Sequence, residues 1–266
     1  MEKYLKLVMS FLQTLDWVES ITVYIILLIL IGDRSGPLSL ILAILIFIGH
    51  FIRKFKLSEV LILTLIGGFL LTIVGLGRSD TSGIGMFEAG ITELREASEY
   101  DPTLELANSV RTLNSAVSYI NKNNNQFFYG SMWVADFLSP FPFAQTFYLK
   151  LTGIKPHTIN SSSFITFLYY GKGAPSGEGT SLIADIYLNF GVIGIAFFMF
   201  LLGMFIKNIS YQLLTPSSMK WIIMAAIFCG MSFYYSRSSY FMFLRDVVWG
   251  LLLFNFLVKA KKRVWK

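Results

Sequence analysis

Four arginines stand out in this sequence because of where they lie. Each is at the predicted outer end of an apolar segment, where the short loops of membrane proteins normally lack positive charge. A guanidinium group can bind two oxygens of one phosphate, so several at one level would hold a diphosphate. The alternative for any single arginine is contact with lipid headgroups. The pattern predicts an outer anion-binding site formed by Arg34, Arg78, Arg237 and Arg245.

A second group of side chains is suited to proton transfer. Ser181, Asp185 and Asn189 recur every four residues and therefore share one face of an otherwise apolar helix. Because a carboxylate is costly in lipid, we expect this face to look into protein or a wet cavity. Asp185 is thus a candidate catalytic residue, with helix packing as the alternative. His157 and Glu178, in the preceding loop, are further candidates for a general base.

Metal-binding patterns are weak in this sequence. It has two histidines, His50 and His157, and a single cysteine, Cys229, inside an apolar segment. These residues offer no spacing typical of a zinc site or a disulfide, and there is no Asp-x-Asp motif. We therefore expect neither a metal nor a cofactor.

The composition indicates an integral membrane protein. Of 266 residues, 55% are hydrophobic, and the mean hydropathy is +0.61. The net charge of +6 comes largely from basic residues beside apolar segments, at 53–56 and 259–266. Such clusters mark the cytoplasmic side and contact anionic lipids. They predict membrane lipids, and no nucleic acid, as partners.

The apolar runs predict an all-α fold with about six transmembrane helices and both termini in the cytoplasm. An amphipathic helix over 4–15 is expected to lie at the inner surface. The first apolar run has a short core and could instead be re-entrant. The predicted spans are 17–33, 38–52, 58–77, 181–206, 219–235 and 239–258.

A large external loop separates the first three spans from the last three. Residues 78–180 contain no apolar run long enough to span, so we divide the chain into 1–77, 78–180 and 181–266. Helices are expected over 86–122. An aromatic band over 127–148 is expected to dip into the membrane interface.

Three passages resemble the O-antigen polymerase family, the Wzy-type oligosaccharide repeat-unit polymerases, which are related to the O-antigen ligases. The first is Gly32-Asp33-Arg34-Ser35 between two helices, and the second is a helix ending in Gly77-Arg78 before a large loop. The third and most specific is the passage from Gly177 to Gly194. Related ligases commonly carry His-Asn where this chain has Thr180-Ser181, which favours a polymerase.

The resemblance implies a GT-C-like membrane architecture and an enzyme that needs neither metal nor nucleotide. It implies polymerisation of undecaprenyl-diphosphate-linked oligosaccharides into O-antigen, capsule or another surface polysaccharide, at the outer face of the bacterial cytoplasmic membrane. The four outer arginines would bind the diphosphate, and His157, Asp185 or Glu178 would be the base.

The chain is shorter than the family's usual ten or more spanning helices and resembles its C-terminal half. The resemblance therefore also implies further partners, either a chain-length regulator or the missing N-terminal helices. Two alternatives stay open on the sequence alone: a ligase-type glycan transferase, and an inactive truncated membrane fragment.

Overall fold

The computed structural model describes residues 15–30, 35–77, 85–96, 103–174, 177–214 and 218–264. In these ranges the chain forms helices and no strand, so the predicted all-α class is confirmed. Two compact units are present, one up to Asp101 and one from Pro102 onward. The second unit therefore joins most of the predicted external loop to the C-terminal helices.

The first unit contains four helices, and the first three of them lie in the apolar runs. They are α1 (Leu15–Leu30), α2 (Ser35–Phe51), α3 (Leu57–Gly77) and α4 (Gly85–Glu96). The predicted surface helix over 4–15 lies, except for Leu15, outside the described residues. Helix α4 packs against α3, and Gly90 lies so close to the Ile73 carbonyl that a side chain there would collide with it.

The basic turn before α3 explains where this helix begins. The Glu59 carboxylate accepts a hydrogen bond of 3.0 Å from the Lys56 amide, which satisfies one of the unpaired donors at the helix start. Arg53 forms a salt bridge of 2.8 Å with the same carboxylate. The cluster predicted to mark the cytoplasmic side is thus also the N-terminal cap of α3.

The second unit begins with the helices of the loop and ends with three long helices. One 3-10 turn, Ser131–Trp133, precedes the helix that begins at Val134, and another, Pro156–Thr158, precedes the helix that begins at Ser161. The helices are α5 (Thr103–Lys122), α6 (Val134–Leu138), α7 (Ala144–Thr152), α8 (Ser161–Tyr170), α9 (Leu182–Leu214), α10 (Met219–Tyr235) and α11 (Leu244–Val264).

Two apolar cores hold this unit together. One packs α5 and α8 against the first turns of α9, with Ile120, Ile165 and Leu188 completely buried. The other joins the Trp133 ring to α9, α10 and the connection before α11. Because both cores use the beginning of α9, that short stretch positions the loop helices on the C-terminal helices.

One described helix, α9, is both long and apolar enough to cross a bilayer. Shorter apolar helices cover Ile21–Leu30, Gly36–Gly49, Leu57–Gly67 and Met219–Tyr235. The fold is consistent with a membrane protein, while the predicted count of six spans stays a prediction.

The aromatic band divides into two parts. Trp133 is 5% exposed and belongs to the core. Phe141, Phe143 and Phe147 are 62%, 86% and 65% exposed, so the later part presents most of its aromatic rings to the surroundings, together with Tyr129 from the earlier part. An aromatic surface of this kind is typical of a membrane interface.

Candidate functional site

Helix α9 is interrupted at Gly191, which has φ 66° and ψ −160°. This conformation is accessible mainly to glycine, and a Cβ atom there would lie 2.8 Å from the Phe127 ring. The interruption frees backbone carbonyls that the next helical turn would otherwise use. The Phe128 and Tyr129 amides donate to the Leu188 and Asn189 carbonyls, at 3.0 and 2.9 Å. The loop around 127–130 is thus hydrogen-bonded to the end of the first half of α9.

The polar face at the start of α9 is buried in protein, as the four-residue spacing predicted. Ser181 is 4% exposed, and Asp185 and Asn189 are both 0% exposed. The Asn189 side chain accepts a hydrogen bond of 3.0 Å from the Gly130 amide and donates one of 2.9 Å to the Asp185 carbonyl. Asn189 therefore reinforces the attachment of the same loop.

The Asp185 carboxylate connects two segments that are distant in sequence. Its Oδ2 atom accepts hydrogen bonds from Trp133 Nε1 at 2.7 Å and from the Tyr240 amide at 2.9 Å. Its Oδ1 atom is buried with no hydrogen-bond partner among the described residues. The buried Ser161 hydroxyl lies beside this carboxylate and interacts with it electrostatically, although the geometry falls outside that of a hydrogen bond. In this structure Asp185 holds Trp133 and the connection between α10 and α11 on α9.

A second carboxylate, Asp136, lies one helical turn after Trp133 in the same loop segment. Burial raises the pKa of Asp136 to about 7; a hydrogen bond from Ser239 opposes this rise, and the charge of Asp185 adds to it. One of its oxygens, Oδ2, is buried without a partner in the described residues. Asp136 can therefore exchange a proton near neutral pH, although the sequence did not single it out.

A cleft of about 650 Å³ opens in the loop part of this unit. His157 lies in its wall, stacked on Phe167 with ring centres 3.7 Å apart and planes inclined by 10°. The other lining residues are small, hydroxyl-bearing or flexible: Pro156, Ser162, Ser163, Thr166, Gly171, Lys172, Gly173, Ala174 and Gly177. Of the three predicted base candidates, His157 is the one whose side chain lines this cleft.

Glu178 lies beside the cleft, but its carboxylate is already engaged. It forms an ion pair with Arg111 and accepts a hydrogen bond of 2.6 Å from the Tyr170 hydroxyl. Its own amide donates to the Thr166 hydroxyl at 3.1 Å, which attaches it to the cleft wall. Burial alone would raise the pKa of Glu178, but the hydrogen bonds from Tyr170 and Arg111 lower it below its usual value. The carboxylate is therefore held in its charged form.

The predicted arginines are only partly described. Arg34 and Arg78 lie outside the described residues. Arg237 is half-buried in the connection between α10 and α11, where its amide donates to the Tyr234 carbonyl. The Arg245 side chain is 60% exposed and forms a salt bridge of 3.2 Å with the neighbouring Asp246. Convergence of all four on one ligand stays a prediction.

The sequence analysis missed four residues of this site. Trp133 and Tyr240 hold Asp185, Arg111 holds Glu178, and Asp136 has a raised pKa. One signal was available, because Asp136 is the sole acidic residue between Glu105 and Glu178. The other three residues form hydrogen bonds with partners 52 to 67 positions away, and no local spacing in the sequence indicates such contacts.

Comparison with known proteins identifies the family. Residues 14–265 match the family model described as O-antigen polysaccharide polymerase Wzy. The chain belongs to this family. No curated protein and no solved structure matches it. The Wzy assignment covers nearly the whole chain and confirms the predicted resemblance. This Wzy-family chain is thus an integral membrane protein of polysaccharide biosynthesis, in a family of polymerases that act on lipid-linked repeat units.

We expect Asp185→Ala to destabilise the protein. The change leaves Trp133 Nε1 and the Tyr240 amide buried without an acceptor, at a cost of about 2–4 kcal/mol. Thermal unfolding of the purified protein should show a midpoint lower by several degrees. Asp185→Asn keeps an acceptor oxygen and should lose less, and Asp246→Ala, at a partly exposed ion pair, should change little. Equal midpoints for wild type and Asp185→Ala would contradict the role of this carboxylate.

Asp136 should make stability depend on pH. The folded protein holds this proton more tightly than the unfolded chain, because the pKa rises from 3.8 to about 7. The stabilisation is complete below the unfolded value and is lost as pH rises through the folded value. Between pH 5 and pH 8 the thermal midpoint should fall by about 5 °C more in wild type than in Asp136→Asn. In the control variant Asp246→Asn, the midpoint should change with pH as it does in wild type. The same pH dependence in Asp136→Asn would refute the raised pKa of Asp136.

Proposed function

We propose that this Wzy-family chain polymerises undecaprenyl-diphosphate-linked oligosaccharide repeat units at the outer face of the cytoplasmic membrane. The observation that carries the proposal is the position of His157. Its imidazole lines a cleft large enough for a short saccharide. The cleft belongs to the same compact unit as α9, whose first turns lie in the passage from Gly177 to Gly194 that most resembles the family. The product would be O-antigen, capsule or a related surface polysaccharide.

The proposed reaction is a glycosyl transfer between two lipid-linked chains. A hydroxyl oxygen of the acceptor sugar bonds to the anomeric carbon of the donor, and the bond from that carbon to the diphosphate oxygen breaks. The diphosphate leaves with the bonding electron pair, and the hydroxyl proton moves to His157. Because the donor arrives already activated by its diphosphate, this chemistry requires neither a nucleotide nor a metal.

We assign the proton transfer to His157 for a geometric reason. A general base must come within hydrogen-bonding reach of the attacking hydroxyl, and His157 lines the cleft where a saccharide would lie. The parallel contact with Phe167 fixes the plane of the imidazole ring. Glu178 instead holds Arg111 and Tyr170, and completely buried Asp185 positions the Trp133 segment. We therefore give these two carboxylates positioning roles.

We assign the leaving diphosphate to the outer arginines, Arg78, Arg237 and Arg245, with Arg34 as a further member. This assignment rests on their predicted placement at the outer ends of apolar segments and on the fit of guanidinium groups to phosphate oxygens. Arg237 and Arg245 lie on either side of Tyr240 in the chain, and Asp185 binds the Tyr240 amide, so the buried carboxylate would also fix this part of the diphosphate site.

We expect His157→Phe to abolish the polymer ladder on a gel of surface glycans. A phenyl ring retains an aromatic contact with Phe167 but cannot accept a proton, so the polymerisation rate should fall about 100-fold or more. The experiment complements a strain that lacks the gene and measures the membrane level of each variant. Lys150→Gln, on the exposed side of α7, is the control. A full ladder with His157→Phe would exclude His157 as the base.

The arginine assignment makes a separate prediction. Arg237→Ala and Arg245→Ala should each leave single-repeat glycolipid without the ladder, despite normal insertion, because a developing negative charge loses a donor. Arg53→Ala, in an exposed ion pair with Glu59 on the predicted inner side, is the matched control. Complementation by both outer variants would remove the assignment. Finished polymer retained on the lipid carrier in the deletion strain would instead indicate a ligase.

A further inference from the structure

The cleft around His157 combines an aromatic wall with unused hydroxyl groups. Both rings of the His157–Phe167 stack line it. The Ser162 and Ser163 hydroxyls also line it and have no hydrogen-bond partner within the described part of the chain. Sugar rings have apolar C–H faces and hydroxyl edges, so they match a wall of this mixed composition. The cleft volume of about 650 Å³ admits a short saccharide.

The charged side chain that lines the cleft is basic. Lys172 lies in its glycine-rich edge and is exposed. None of the lining residues named above is acidic. The nearest carboxylate in sequence, Glu178, is 7% exposed and is neutralised by its ion pair with Arg111. A ligand in this cleft therefore meets positive charge without a competing acidic side chain.

A single lysine fits one negative charge better than a diphosphate. Diphosphate sites in proteins typically use several donors, among them guanidinium forks, to satisfy the many phosphate oxygens. Here one flexible ammonium group stands beside small hydroxyl-bearing side chains. A carboxylate on a sugar ring supplies one negative charge for the lysine. The ring face and hydroxyls of the same sugar can still contact the aromatic rings and the serine hydroxyls.

We propose that this cleft binds an acidic sugar of the acceptor repeat unit, with Lys172 pairing with the sugar carboxylate. Ser162 and Ser163 then bind hydroxyls of the same or the adjoining sugar, and the stacked rings support its apolar face. The inference rests on the proposed function and makes it more specific. Lys172 becomes a residue that selects repeat units by charge, separately from proton transfer by His157.

The test measures binding to the purified full chain in lipid nanodiscs at low salt. The probes are a glucosyl-glucose disaccharide and the glucuronosyl-glucose disaccharide that differs from it by one carboxylate. Wild type should bind the acidic probe about five- to tenfold more tightly, as one charge-assisted contact provides. Lys172→Gln should remove this preference, Lys172→Arg should restore it, and Lys150→Gln should leave it unchanged.

Four results would overturn the proposal. They are equal binding of the two probes, binding of neither, a preference that survives in Lys172→Gln, and displacement of the acidic probe by low concentrations of inorganic pyrophosphate. The last result would assign the cleft to the leaving group. Failure of this binding test is distinguishable from failure of the proposed function. The polymer ladder of the His157→Phe variant tests the glycosyl transfer itself and does not depend on the charge of the sugar.

Discussion

A buried carboxylate must be given hydrogen-bond donors by the protein, because no water reaches it to replace them. The Oδ2 oxygen of Asp185 meets this constraint with donors from two other segments, Trp133 and Tyr240, which are far away in the chain. The loop helices, the start of α9 and the connection before α11 are consequently held at one point. Aromatic rings around Trp133 fill the space beside this point: Tyr240 is stacked on it with ring centres 5.6 Å apart, and Phe198 meets it edge-on at 4.7 Å.

The cleft also depends on the start of α9, because the helix that carries part of the cleft wall packs there. Helix α8, which carries Ser162, Thr166 and Phe167, packs with α5 on the first turns of α9. The ion pair between Arg111 and Glu178 closes the exposed side of the same contact. Part of the cleft lining is therefore carried by packed helices, and another part belongs to the glycine-rich segment.

The sequence predicted the helices well where hydrophobicity sets their limits. The span predicted at 219–235 coincides with α10, and the one at 58–77 differs from α3 by a single residue. The helix predicted at 181–206 continues to Leu214, because the polar residues of its last turns do not prevent helix formation. The burial of Asp185 followed from its four-residue spacing with Ser181 and Asn189. The partners of Asp185 and Glu178 did not follow, because tertiary hydrogen bonds join residues that share no local pattern.

Gly191 also divides α9 into parts with different surroundings. Leu188 and Asn189 before it are 0% exposed, whereas Val192 and Ile193 after it are 71% and 85% exposed. Residues 192–214 extend roughly 35 Å at 1.5 Å per residue, enough for the hydrocarbon core of a bilayer. Part of this half packs on the neighbouring helices, with Leu202 and Ile209 buried, but its apolar side chains require no polar partner in lipid. The polar turns before Gly191, in contrast, need the loop and Tyr240. During biogenesis, membrane insertion of the second half can therefore come first, with the loop helices assembling afterwards on a helix already inserted in the bilayer.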